Sequence, residues 1–187
     1  LMRGSLMNRY TNLWNNNYYV LYGKNLGAPR DSKIFECKEK IIIRQTSDKI
    51  IATIITENII CRKNLHILIS EMVDHRFILG VLNSKLTNFY YQQINPEKGE
   101  VLAEVKKTHV EQLPIPKITS ENQQLHDDLV KLVEQMLKAK KEEQNAQSDH
   151  EKNLYKNLTD SLDYKINNLV YKLYNLTPEE IDLVEKS

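Results

Sequence analysis

Glu97 and the triplet Glu104-Val105-Lys106 come nearest, in type and spacing, to catalysis. An acid followed by acid-x-Lys is the arrangement with which many nucleases hold a divalent metal and orient the attacking water. The first acid is a Glu where such sites usually carry Asp, and Lys106 with Lys107 serves equally well as a phosphate contact. A small Mg-dependent nuclease using Glu97, Glu104 and Lys106 is therefore kept as the alternative reading. Other catalytic patterns are missing. The five glycines are unclustered, which argues against a glycine-rich phosphate loop or a dinucleotide-binding fold. His66, His75, His109, His126 and His150 have no metal-ligand spacing, and no serine stands in a nucleophile elbow. No catalytic residue, metal ligand or bound cofactor is expected in this stretch of chain.

Polyanion binding has broader support. Residues 1–118 carry 17 Lys+Arg against 11 Asp+Glu, a net of +6, whereas residues 119–187 carry 9 against 14, a net of −5. A basic half suits contact with a nucleic acid, whose affinity is dominated by phosphate neutralisation and counterion release. Its candidate phosphate contacts stand beside turns. Arg44 and Lys49 flank a hairpin, Arg62 and Lys63 occupy the next turn, Lys85 lies on a central helix, and Lys106, Lys107 and His109 precede a proline pair. Gln45, Thr46, Asn64 and Asn83 carry the donor and acceptor groups that read base edges, and Arg can read guanine bidentately. Tyr18, Tyr19, Tyr22, Tyr90 and Tyr91 are assigned to core or rim rather than to base stacking.

The elements that must position these residues change character along the chain. Lys40–Thr46 and Ile50–Ile55 are β-branched runs joined by Ser47-Asp48-Lys49, which predicts a hairpin with a three-residue connection. Asn58–Cys61 and Leu65–Ile69 read as further strands, and so do residues 101–105. Between them, Phe77, Ile78, Val81, Leu82, Leu86, Phe89 and Tyr90 recur at steps of three and four, predicting one helix over Asp74–Tyr91. Pro114-Ile115-Pro116 closes the region. Beyond it, Ser120 with Gln123 suggests a helix start, and Leu125 to Leu137 supply its apolar face. The polar stretch 138–152 either extends that helix or holds a turn near 145–149. Leu154, Leu158, Leu162, Ile166, Leu169 and Leu173 form the seam of a second helix, and Thr177-Pro178-Glu179-Glu180 launches a short last one.

The expected fold class is therefore α+β: a mixed α/β recognition domain over residues 18–118, followed by an antiparallel helical hairpin or spacer over 119–187. Residues 1–17 read as an N-terminal lead, with Leu1-Met2-Arg3-Gly4-Ser5 a cloning remnant. A mean hydropathy of −0.53 and the lack of an apolar run near the roughly 20 residues of a membrane span argue against a membrane role. Cys37 and Cys61 form no CxxC pair, which points to a reducing cytoplasm.

Three segments, taken in order, resemble a known family. They are Lys40-Ile41-Ile42-Ile43-Arg44-Gln45-Thr46, then Ile78-Leu79-Gly80-Val81-Leu82-Asn83-Ser84-Lys85, then Gln112-Leu113-Pro114-Ile115-Pro116 with helices and a closing Leu173–Ile181. Together they look like the TaqI-like C-terminal specificity domain of adenine-specific DNA methyltransferases and of type IIG enzymes that join methylation to cleavage, across residues 18–187. The resemblance implies a module that docks on double-stranded DNA and selects the site. A separate methyltransferase domain would then flip out adenine and use S-adenosylmethionine, with Mg in a parent that also cleaves. That domain's Asn/Asp-Pro-Pro-Tyr/Phe motif is not matched here, since Asn95-Pro96-Glu97 lacks the second proline and the aromatic. The helical tail is similar to the spacer helices of type I specificity subunits, which implies contact with the methyltransferase domain or homodimerisation.

Overall fold

The computed structural model describes residues 1–97, 99–100 and 103–187. Among them the order is β1 (Met7–Asn8), β2 (Thr11–Asn12), α1 (Lys33–Glu36), β3 (Lys40–Arg44), β4 (Ala52–Ile55), β5 (Leu65–Leu68), α2 (His75–Leu82), α3 (Lys85–Ile94), α4 (Lys107–Val110), α5 (Gln123–Asn145), α6 (Asp149–Leu173) and α7 (Pro178–Glu185). The α+β class and the C-terminal helical hairpin, α5 with α6, are both present.

The centre of the fold is β3. It pairs antiparallel with β4 on one side and β5 on the other, with Ile43 opposite Ala52 and Arg44 opposite Leu65. A strand in that position is buried on both faces, which is why its apolar residues run unbroken. Ile41 and Ile43 join a core with Phe77, Leu79, Leu129, Val133, Ile166 and others from α2, α5 and α6. Ile42 faces the opposite way, into a second cluster with Met2, Met7, Phe35, Ile59, Cys61 and Leu65. Lys40 begins the strand with no exposed surface, and its three ammonium hydrogens go to the carbonyls of Phe35, Cys37 and Glu57 at 2.9, 3.0 and 3.0 Å. A buried ammonium with all three donors satisfied is tolerable where an unpaired one is not.

The edge strand β4 is closed by side chains instead of another strand. Asn83 Oδ1 accepts from Ala52 N at 3.1 Å, Asn83 Nδ2 donates to Ala52 O at 3.0 Å, and Asn88 Oδ1 accepts from Ile50 N at 2.8 Å. Tyr10 N adds a bond to Ala52 O at 3.0 Å. Asn83 is thus 1% exposed and structural, which corrects its assignment as a base-edge reader. The same residues divide the single helix expected over 74–91 into α2 and α3. Asn83 ends the first, and Ser84, in extended conformation (φ −67°, ψ 155°), caps the second by accepting from Thr87 N. Periodicity continues across this break because both helices bury their apolar faces in neighbouring parts of the core.

Other expectations shift in detail. The hairpin connection spans residues 45–51, because β3 ends earlier, at Arg44, and β4 begins later, at Ala52, than the expected runs. Asn58–Cys61 forms no strand and contributes one parallel bridge, Cys61 with Met2. Residues 101 and 102 lie outside the described residues, and of the strand expected there Glu104 bridges Thr46. Ser120 is not the cap of α5, since Asn122 holds that position, whereas the turn before Asp149 and the Thr177 capping box appear as read. Met2 has no exposed surface and sits in the second core cluster, so the opening segment packs into the fold. The core also runs across residue 118, where α2 meets α5 so closely that a Cβ on Gly80 would lie 2.9 Å from Val133 Cγ2. Among the described residues no helix is long and apolar enough to cross a membrane.

Replacing Asn83 by Ala leaves the Ala52 N–H buried without a partner and removes a second bond. Burial of an unsatisfied backbone group together with one lost hydrogen bond predicts a loss of about 2–4 kcal/mol. Urea unfolding of Asn83→Ala beside the unaltered chain measures it, and a change under about 0.5 kcal/mol, typical of a surface site, would contradict the bracket.

Candidate nucleic-acid interface

Three separated segments meet where β3 ends and β5 begins. Gln45 N donates to Asn64 O at 3.1 Å, and Val105 N donates to Gln45 O at 2.6 Å, so the backbone of Gln45 is held from both sides. The bridge between Thr46 and Glu104 extends this contact, and His66 Nε2 reaches Val105 O at 2.6 Å. Arg44, Gln45, Thr46, Asn64 and Lys106 are gathered at this end of the sheet, with Arg62 and Lys63 exposed on the turn entering β5. Two polar atoms here, Arg44 Nε and Asn64 Oδ1, are buried and lack partners.

The cations of the set fall into two groups. Among the described residues, Arg44, Lys49, Arg62 and Lys63 make no ion pair. Lys106 is paired with Glu97 at 2.5 Å, Lys107 with Glu111 at 3.3 Å on α4, and Lys85 with Glu185 of α7. Lys85 is therefore anchored to the helical half, away from the sheet end. Lys49 and Lys85 instead share a cleft of about 780 Å³ that also takes in Arg9, Lys140, Asp160 and Asp163. Its lining has both signs of charge, with Asp160 and Asp163 beside the lysines. His109 is half-buried beside Tyr91, with Nδ1 unpartnered.

The acidic residues of the alternative reading are already occupied. Glu97 accepts from Lys106 Nζ through one oxygen and from Glu104 N, at 2.9 Å, through the other, while Glu104 Oε2 accepts from Gln45 Nε2 at 3.1 Å. The bond from Lys106, seconded by that from Glu104 N, holds the Glu97 carboxyl below the usual carboxylate range, and the same contact raises the Lys106 ammonium. Among the described residues no three His, Cys, Asp or Glu side chains are grouped to hold a metal. The arrangement fastens a loop to the sheet end, a role for which a carboxylate-ammonium pair suffices.

Two basic residues escaped the sequence reading. Arg3 lies on the segment that runs beside residues 60–62, through Met2 N to Ile60 O at 2.8 Å and Arg62 N to Met2 O at 3.0 Å. Its guanidinium stacks on the Tyr18 ring, 3.8 Å from the centroid, and Gly4 next to it packs against Arg44, Thr46 and Asn64. Arg30 donates to the carbonyls of Lys63 and Leu65, at 3.1 and 2.9 Å, and so fixes the shape of the Arg62–Asn64 turn. Arg3 was passed over with the supposed remnant, although the basic-apolar alternation Met2-Arg3 was visible; nothing local marks Arg30.

A family model described as the TaqI-like C-terminal specificity domain matches residues 1–115. The match takes in the opening residues, which the sequence resemblance had left out, and ends before α5. No curated protein matches the chain.

The Glu97 contact has a pH signature. Its folded value is depressed, so the contact contributes stability that is fully present above the unfolded value of about 4.3 and is lost as pH falls through the lower folded value. In an NMR titration the Glu104 amide and the Lys106 side chain should move together with Glu97 below the ordinary glutamate range, and Glu97→Gln should abolish that step. A Glu97 midpoint at or above the ordinary value would show that the contact does not hold in solution.

Proposed function

The chain belongs to the TaqI-like C-terminal specificity domain family, a DNA-recognition module of restriction-modification enzymes, and we propose that it docks on duplex DNA through the sheet end bearing Arg44, Arg62 and Lys63. One observation carries this reading. Residues 44–46, 62–64 and 104–106, from separate segments, are joined there by backbone contacts, and Arg44, Arg62 and Lys63 carry charges that make no ion pair among the described residues. Unpaired Arg and Lys contact phosphate without first breaking an internal ion pair, and neighbouring amides and hydroxyls can read base edges once phosphate contacts have set the register. In this reading Lys106 joins the phosphate contacts when phosphate displaces Glu97, and Lys107 does so when phosphate displaces Glu111.

The module serves a separate catalytic domain. We assign adenine methylation from S-adenosylmethionine to that domain, with Mg²⁺ if the parent also cleaves as type IIG enzymes do, in the bacterial cytoplasm. The five scattered glycines here offer no loop for a nucleotide-like cofactor. The acidic helical half is unsuited to phosphate. Its exposed Leu154 and Leu158 suit a protein partner, either the methyltransferase domain or a second copy of the chain.

Selection of duplexes from a random library, with Arg44→Ala/Arg62→Ala in parallel, tests the reading. The unaltered chain should enrich a motif without added metal, and the double variant should lose it. The salt dependence of log affinity should flatten by about 2 in the double variant, about one unit per phosphate contact removed. Affinity that is flat across salt, with no motif at low salt, would instead favour a protein-assembly module.

A further inference from the structure

The Gln45–Glu104 pair has a geometry that phosphate binding does not explain. Gln45 is held through its backbone N–H by Asn64 O and through its carbonyl by Val105 N, so its Cα is fixed between two flanking segments. Its amide is fixed as well, because Nε2 donates to Glu104 Oε2 at 3.1 Å. Glu104 is itself held by its own N–H on Glu97, at 2.9 Å, and by Tyr91 OH on its carbonyl, at 3.3 Å. An unrestrained Gln amide can exchange its oxygen and nitrogen ends by a half turn. Here a carboxylate, which only accepts, dictates which end carries the nitrogen. With Nε2 giving one hydrogen to Glu104, one N–H and the amide oxygen remain for a ligand.

We propose that Gln45 is a base-reading residue selective for adenine in the major groove and that Glu104 is its positioning residue. The proposal rests on the DNA-recognition reading above and deepens it. Adenine presents an acceptor at N7 and a donor at N6, the complement of one N–H and one C=O. Guanine presents two acceptors, N7 and O6, so the amide oxygen meets a lone pair instead of a donor. Turning the amide to suit another base costs the bond to Glu104 and sets the amide oxygen against its carboxylate. Arg44 and Arg62 then supply affinity and register, and the Gln45 amide supplies discrimination at one position.

Library selection with the full chain tests this, using Gln45→Ala, Glu104→Ala and Glu104→Gln, each first checked for an unchanged thermal midpoint. The unaltered chain should enrich a motif containing an adenine that Gln45→Ala no longer requires, with discrimination there falling about 5- to 150-fold while other positions persist. Glu104→Ala should relax the same position and no other. Glu104→Gln, which keeps an acceptor oxygen, should restore part of the preference, a pattern that general loosening of the fold does not produce. A motif that Gln45→Ala leaves unchanged at every position overturns the assignment alone. No motif from the unaltered chain at low salt overturns the assignment together with the DNA-recognition reading.

Discussion

The bracket that Asn83 places on Ala52 is the constraint from which the rest of the architecture follows. An edge strand carries unpaired backbone groups, and this one is closed by an amide that supplies one donor and one acceptor to a single residue. Using Asn83 in this way ends α2, and its successor Ser84 starts α3 in a new direction. The carbonyl of Asn83 then accepts from Arg9, which also pairs with Asp163 of α6, while Asn167 of α6 accepts from Lys85 N at 2.8 Å. Four elements distant in sequence are therefore tied within two residues of one asparagine. Asn88 repeats the device on Ile50, so the turn leading out of β3 inherits its position from α3.

A recognition surface on turns needs such a frame. Fixing the backbone of one residue costs about 1–2 kcal/mol of conformational entropy, and a surface that orders only on binding loses that from its affinity. Here the order is set in advance. Gln45 and Asn64 share a ladder bond, Arg30 holds the turn before Asn64, and Glu97 with Lys106 fastens the third segment. The last fastening is electrostatic and exposed, so phosphate can compete with it. The backbone ladder does not respond to an anion in the same way. Charge at the rim can therefore be rearranged by a polyanion while the polar side chains at its centre stay in register.

Much of this was legible in the sequence where information is local. The apolar runs of β3, β4 and β5, the helical period of α2 with α3 and of α5 with α6, and the Thr177-Pro178 start of α7 each declare themselves within a few residues. The basic turns were also legible as candidates, because charge beside a turn is a short-range signal. What escaped depends on partners far along the chain. Asn83 looks like a surface amide until Ala52 lies beside it, and Asn58–Cys61 looks like a strand until its neighbour proves to be a single residue, Met2. Ser120 and Asn122 are equivalent caps by type, but the Asn122 side chain is spent on Thr119 N and Lys117 O in a turn that takes in Ser120, and the helix starts only after it. Glu97, Glu104 and Lys106 stayed open as an alternative metal pattern because spacing alone does not reveal that the lysine is spent on the acid.

The relation between the two halves follows from the shared core. The family match stops at residue 115, yet Leu129, Val133, Met136, Leu162 and Ile166 bury themselves against Ile41, Ile43 and α2. Gly80 permits the closest approach, since any side chain there would drive into Leu129 and Val133. The opposite charges of the halves thus belong to one rigid body. The basic sheet end and the acidic helices are joined through that core. Whatever the helices bind is held in a set relation to the surface formed by residues 44–46 and 62–64. On the DNA-recognition reading, a hairpin packed into the core of the reader would present a bound partner in a set relation to that surface, where a flexible tether would not.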